Sequence, residues 1–529
     1  MRGFAFLPPR LLGSWQAVRR PAVVLTLLVS VLLLLAAIIR KCPESSSTGD
    51  GASLSLYTLA ALKGQAQVGP YGQYGWNHPG PMLFYVTSPL YYFSNYHELS
   101  HRITALLINI ACLVGVISLA RRYGDLSFSL FSGAAIVFVE WRAGGDLAFS
   151  AWNPHVTLLP LALLMFVAAA IGVGVVSLLP LAIVLASFIA QSHLGFVPLA
   201  LVLSVIPPVA AISRGHRLSR NVWIASILMA VVLWLPPLIQ EFTEQPGNLS
   251  LITSFMLEET KRPALDISIP KLFSTYYLLP FGNHMRLPVG RAAISTRSDW
   301  AIGFAVLLLV ALVLVSILRQ RRRQLFQAAF GAVCVAVAIV GFSSIYGVRR
   351  EVSDHHIFWL SIPGALSLTT VLAALVSVRS FQLAWGRRNA LCLTVWPVLI
   401  LLGMSLWRLV PWQQRAASDK TTRTLYEALS TEADARRAST ATLLNTGATW
   451  AQAAGIVLLA RKDERSLLVT NDLRRVVDQR ISGTNEGIRF LLFDVDEDYR
   501  LLHDMSLSRI IRTDKYAIAV VGKNHSRTP

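Results

Sequence analysis

The sequence predicts an α-helical polytopic membrane protein of about eleven transmembrane helices with a small C-terminal α/β extracytoplasmic domain, and three observations predict it. Hydrophobic residues make up 54% of the 529 and charged residues only 15%, too apolar a balance for a water-soluble chain of this size. Apolar runs suited to spanning a bilayer, which takes roughly 17 to 25 residues, recur along the chain. The basic residues between those runs fall on one side of the implied membrane.

The runs lie near 22–39, 102–120, 126–141, 155–172, 175–190, 194–212, 221–239, 300–318, 325–345, 357–378 and 389–407. The stretch from 155 to 212 is nearly continuous and divides into three, because its length is about three spans at roughly 1.5 Å per residue. With eleven crossings, the clusters Arg2–Arg20, Arg121–Arg122, Arg214–Arg220, Arg319–Arg323 and Arg379–Arg388 all share a face. Those segments hold 16 basic residues and one acid, Asp125. The positive-inside rule makes that face cytoplasmic. The tail after Trp407 is more balanced, with 19 basic and 15 acidic residues. The net charge of +19 therefore reflects orientation, and no nucleic-acid partner is expected.

The order along the chain follows from that parity. Residues 1–21 form a cytoplasmic N-terminus, and 22–407 a transmembrane region with outer loops at 40–101, 142–154, 240–299 and 346–356. Residues 408–529 form the extracytoplasmic α/β domain. The first run is read as an uncleaved anchor, since no small-x-small cleavage site follows it, and the expected location is the cytoplasmic (inner) cell membrane. Of the four cysteines, Cys42 lacks the small neighbours of a lipoprotein processing site and Cys112, Cys334 and Cys392 lie in apolar runs. Neither a disulfide framework nor a metal-type spacing results. In the tail, 420–440 and 449–462 read as helices, and 466–470, 488–495 and 516–522 as short buried strands.

The loops carry the chemistry, because no run holds an ionisable residue in its interior. Proton- or ion-coupled transport usually needs such residues near mid-membrane. In the first loop, Asp50 stands about ten residues beyond the first run, ahead of a helical apolar pattern. An aspartate flanked by serines and glycines serves equally well as a helix cap. A stiff turn, Val68 to Tyr85, follows, in which Trp76, Asn77 and His78 run into Pro79-Gly80-Pro81. Residues 81–96 are aromatic and broken by Pro89, which suits a helix lying in the interface. A second acid, Asp146, lies in the short loop 142–154 beside Arg142, Trp152, Asn153 and, just beyond, His155. His193 returns to the same outer rim, as do Arg349, His355 and His356 in YGVRREVSDHH. Such an imidazole can bind phosphate or simply bond to the backbone.

A transmembrane helix, an acid within about ten residues, a second helix, and a Gly/Tyr-rich turn into His-Pro-x-Pro resemble, in that order, the first outer loop of the GT-C superfamily. These are membrane glycosyltransferases such as protein O-mannosyltransferases and lipid A aminoarabinose transferases. The resemblance covers roughly residues 20–200. It implies a polyprenyl-phosphate-linked sugar as donor, a glycan, lipid or protein acceptor, and membrane lipid around the site. Asp50 matches the family's catalytic acid, Asp146 a second outer-loop acid, and His78 a position that often holds lysine or histidine. Two departures stand out: Asp50 is followed by Gly51 where several branches pair two acids, and Gly80 interrupts the proline pair.

The implied chemistry suits the residues. A glycosyl phosphate already carries a good leaving group, so the enzyme needs a base, donors for the departing phosphate, and close positioning. Asp50 is expected as general base, with Asp146 the second catalytic acid. His78, Arg142, Arg349, His355 and His356 are expected to face the phosphate, and Trp76, Asn77, Trp152, Asn153, His155 and His193 to line the site. A single displacement would invert the anomeric carbon. A divalent cation could assist, but no ligand set is evident. The competing readings are a lipid-linked sugar flippase or transporter, and a non-enzymatic cell-envelope scaffold.

Overall fold

The computed structural model describes residues 29–42, 47–72, 74–145, 147–257, 269–281, 300–348, 353–375, 389–418, 420–470, 473–477, 487–498, 500–501 and 507–521. Among these, helix occupies the described part of every apolar run. In chain order the helices are α1 (Val29–Ile39), α2 (Gly49–Leu62), α3 (Met82–Phe93), α4 (Leu99–Tyr123), α5 (Leu126–Arg142) and α6 (Asn153–Gly172). Then come α7 (Val176–Ser192), α8 (Leu194–Ser213), α9 (Arg220–Thr243), α10 (Asn248–Leu257) and α11 (Ile269–Tyr277). The last of the helical bundle are α12 (Trp300–Arg321), α13 (Leu325–Gly347), α14 (Asp354–Leu375) and α15 (Asn389–Ser418). Among the described residues seven, namely α4, α6, α8, α9, α12, α13 and α14, are long and apolar enough to cross a membrane. The chain is an integral membrane protein.

Composition decides where each helix sits. From Leu158 to Gly172 every residue of α6 is buried, as a sequence apolar all round (LLPLALLMFVAAAIG) requires of a central helix. By contrast only 11% of the apolar window of α9 is buried, which leaves Ile227, Val231, Val232 and Leu235 for lipid. The α3 segment is a helix with Pro89 inside it, burying Leu83, Phe84 and Tyr91 while exposing Val86, Tyr92 and Phe93. The helix is thus two-faced, with one side packed and the other open.

The C-terminal region is a mixed five-stranded sheet of order β2-β1-β3-β5-β4, with β1 (Ala441–Asn445), β2 (Leu467–Val469), β3 (Ile488–Asp494), β4 (Leu507–Arg512) and β5 (Tyr516–Val521). β1 runs parallel to β2 and β3, and β5 antiparallel to β3 and β4. Two of these strands, β1 and β4, escape the sequence pattern: LSRIIR carries two arginines and only partly buries. Helices α16 (Thr421–Ala435) and α17 (Trp450–Lys462) cover the sheet.

Helix α2 joins the two parts. Ala52 and Leu56 enter the core of the C-terminal region with Leu425, Ile456 and Leu492. Tyr57, Ala60 and Ala61 instead pack with Val68 and Phe84. Two hydrogen bonds pin it: Ser53 Oγ donates to the carbonyl of Val476 (2.6 Å) and Tyr57 Oη to that of Arg475 (2.6 Å). At its start Gly49 adopts φ +53°, and a Cβ there would lie 3.3 Å from the Trp450 ring. Glycine suits that position on both counts.

Candidate functional site

The structure forms a cavity of about 920 Å³ where α4, α6, α8 and α14 begin and α13 ends. The lining includes Glu98, His101 and Arg102 around the start of α4, and Asn153 and Pro154 at that of α6. Leu194 and Gly195 come from the start of α8, Ser353, His355 and His356 from that of α14. Helix starts leave N–H groups without intrahelical partners and carry the positive end of the macrodipole. Four of them converge on one space, where their macrodipoles favour an anion although histidines already bond the first N–H groups of α8.

The stiff turn of the first loop closes the cavity. An antiparallel bridge pairs Tyr71 with Asn77, the His78 amide donates to the Pro70 carbonyl (2.7 Å), and the Gly69 amide donates to that of His78 (2.9 Å). Gly69 is required in this arrangement, because a Cβ there would stand 2.7 Å from the backbone carbonyls of Gln191 and Gly80, and a Cβ on Gly80 would displace the Gln191 side chain. Asn77 serves the turn rather than the cavity. Its Nδ2 donates to Tyr57 Oη (3.0 Å) and the Gly69 carbonyl (3.1 Å), while Asn248 bonds its backbone.

Three histidines on this wall are built alike. His78 Nδ1 accepts from the Leu194 amide (3.0 Å), His193 Nδ1 from Gly195 (3.2 Å), and His356 Nδ1 from Ser353 (3.2 Å). Each ring thus caps backbone N–H groups beside a helix start. With Nδ1 serving as acceptor, a neutral ring must carry its proton on Nε2. His78 and His193 stack at 4.8 Å between centroids, and Trp76 meets His78 edge-on at 5.5 Å. The Trp76 Nε1–H is buried without a partner among the described residues. Burial, then the neighbouring His356 and His355, pushes His78 down to about 3. Burial likewise holds His193 well below its ordinary value, with His78 adding to it. The wall is therefore a set of uncharged N–H donors, with Arg102 the cation at the rim of the same cavity.

The second wall is acidic. Asp50, exposed on α2, accepts from Tyr71 Oη at 2.6 Å. Burial, and then Asp50 itself, raises the Tyr71 phenol above its ordinary value, so it stays a donor. Tyr71 rests edge-on against Trp450 of α17 at 5.7 Å. Asp50 and His355 both line the cavity. Glu98, 4% exposed, accepts from Ser47 Oγ (2.9 Å), Ser55 Oγ (2.6 Å) and Lys462 Nζ (3.1 Å). Burial works to raise its carboxyl, but the Lys462 ammonium and the hydrogen bond from Ser55 hold it below its ordinary value.

Of the residues expected from sequence, Asp50, Trp76, His78, Trp152, Asn153, His193, His355 and His356 line this one cavity. His155 lies behind it, edge-on to Trp152 at 4.8 Å and to Phe358 at 5.3 Å. Arg142 is not brought to it: its Nε donates to the Pro280 carbonyl at 3.0 Å. Asp146 and Arg349 lie outside the described residues. Among those described, no group of three or more His, Cys, Asp or Glu side chains is arranged to hold a metal ion. Tyr71, Glu98, His101, Arg102 and Lys462 are additions that the sequence pattern did not single out. Helix α4 begins at Leu99, ahead of the apolar run, and so carries His101 and Arg102 in its first turn. The polar cluster HELSHR was the available signal.

A solved structure shares this architecture. ArnT from Cupriavidus metallidurans bound to undecaprenyl phosphate has a TM-score of 0.50 at 16% identity, covering 94% of this chain and 98% of that one. The chain has the ArnT fold. The apo state of the same ArnT has a TM-score of 0.49 at 15% identity, covering 95% of this chain and 98% of that one. At such identity the likeness is one of fold. No protein-family model and no curated protein matches the chain.

Proposed function

We propose that the protein is a GT-C-type glycosyltransferase of the bacterial cytoplasmic membrane, moving a sugar from a polyprenyl-phosphate carrier to an extracytoplasmic acceptor. The observation that carries this reading is the cavity with two chemically distinct walls: neutral N–H donors at converging helix starts, and Asp50 on the other side. The ArnT fold supports it, because one ArnT structure holds undecaprenyl phosphate. In this orientation the N-terminus lies inside, the loops bearing Asp50 and His78 lie outside, and residues 408–529 cover the outer face.

The lipid phosphate enters between α13 and the loop aromatics and sits against the Nε2–H groups of His78, His193 and His356, with Arg102 supplying charge. Donors fixed before substrate arrives need no reorganisation as charge builds on the departing phosphate. Asp50, oriented by Tyr71, takes the proton of the acceptor hydroxyl as its oxygen attacks the anomeric carbon. The glycosyl–phosphate bond breaks on the opposite face, so the configuration inverts.

The test is to incubate the purified protein with a panel of radiolabelled polyprenyl-phosphate sugars and candidate acceptors and to identify the products. Transfer by the wild type and none by Asp50→Asn supports the reading. Movement of the lipid across vesicles without sugar transfer would replace it with a flippase.

A further inference from the structure

The cavity wall between Glu98 and Arg102 contains a group that the proposed mechanism leaves unused. Ser55 Oγ is completely buried and lies 2.6 Å from Glu98 Oε2 and 3.0 Å from His101 Nε2. The serine has one proton, and the shorter contact to a carboxylate claims it. Its oxygen must then accept from His101 Nε2–H. Lys462 already neutralises Glu98, so nothing requires the ring to carry a second positive charge. His101 is thereby fixed as the neutral tautomer with a bare lone pair on Nδ1.

That nitrogen is buried and has no partner among the described residues. The residue is 3% exposed and its ring stacks on Tyr91 at 4.5 Å, which holds its plane. A buried acceptor left without a donor is destabilising, so a ligand that supplies one is favoured. The other polar groups of the cavity differ in kind. His78, His193, His356, Trp76 and Arg102 present N–H groups and suit phosphate oxygens. His101, a residue of the same lining, carries a buried lone pair and suits a hydroxyl.

We propose that His101 Nδ1 accepts a hydrogen bond from a hydroxyl of the sugar carried on the lipid phosphate, with Ser55 and Glu98 setting its tautomer. This assignment rests on the reading of the cavity as a lipid-phosphate sugar site. It makes His101 a substrate-binding residue and divides the cavity into a phosphate subsite of donors and a sugar subsite with a dedicated acceptor. The C-terminal region enters the site through Lys462, because without that cation Glu98 would draw a proton onto His101 and erase the acceptor.

The experiment measures binding to the full-length protein in nanodiscs by tryptophan fluorescence. The probes are undecaprenyl phosphate and undecaprenyl phosphate carrying glucose, mannose or aminoarabinose. The wild type is expected to hold one sugar-bearing lipid more tightly than the bare phosphate. His101→Phe keeps the stacked ring without nitrogens, and is expected to lose about tenfold toward that lipid and less than twofold toward undecaprenyl phosphate. His101→Asn, whose Oδ1 stands near the place of Nδ1, should recover most of the loss. Equal losses toward both lipids, no loss in His101→Phe, or a wild type that binds bare and sugar-bearing lipids alike would each overturn the proposal. A wild type that binds no lipid at all would overturn the underlying reading first.

Discussion

The two walls of the cavity are made by opposite means. The histidine wall is assembled within the helical bundle: His193 bonds two residues along, His356 three residues back, and His78 caps a helix start through a turn stiffened by Gly69 and Gly80. The acidic wall is assembled across the whole chain. Asp50 and Glu98 keep their places because α2 is packed into the C-terminal core and Lys462 reaches back 364 positions to Glu98. The first wall should therefore tolerate loosening of the C-terminal region, and the second should fail with it.

The largest effect expected is on Asp50→Asn. Loss of a general base costs about 10²–10⁴ in rate, while the exposed position lets the variant fold and still bind undecaprenyl phosphate. Normal transfer by this variant would remove the asymmetry between the walls. Next comes Lys462→Met, which strands a buried carboxylate; breaking such a pair costs about 3–5 kcal/mol. Thermal unfolding in detergent should show the drop, and Glu98→Gln in the same chain should recover much of it. An unchanged midpoint for the single variant would mean that the C-terminal region does not hold this wall.

The histidine wall makes a prediction about acid. His78 and His193 are held below the unfolded value of about 6.5, His78 down to about 3. Below pH 6.5 the unfolded chain binds protons that the folded rings refuse, so stability falls as pH drops and is fully present above it. Each ring contributes up to about 1.4 kcal/mol per pH unit in that window, and His78→Gln should flatten the profile. A midpoint independent of pH between 7 and 5 would contradict the buried neutral rings. The smallest effect separates the two ring nitrogens. His193→Asn keeps an acceptor near Nδ1 but loses the Nε2 donor, and should weaken undecaprenyl phosphate binding by about 1 kcal/mol. His193→Gln, with its amide near Nε2, should bind more nearly as the wild type does.

How much of this was legible in the sequence follows the same division. Apolar runs and arginine clusters give the helices, because span length and loop charge are properties of contiguous residues. The turn around His78 and the loop position of Asp50 are local for the same reason. The sequence does not show that α4 begins early enough to place His101 and Arg102 at the cavity, since a hydropathy pattern loses the polar first turn of a helix. Nor does it show Lys462 against Glu98, or Trp450 under Tyr71. Those contacts join residues hundreds of positions apart and depend on how the C-terminal sheet packs on α2. Nor does the sequence show that Arg142, expected near the rim from its place in the short loop, donates through Nε to the Pro280 carbonyl.

The most direct test is a structure of the full-length protein in nanodiscs with undecaprenyl phosphate. The phosphate should lie within hydrogen-bond reach of the Nε2 atoms of His78, His193 or His356, leaving the space beside Asp50 and His101 open for a sugar and its acceptor. A phosphate bound elsewhere on the protein, with the three rings still facing an unfilled cavity, would contradict the account.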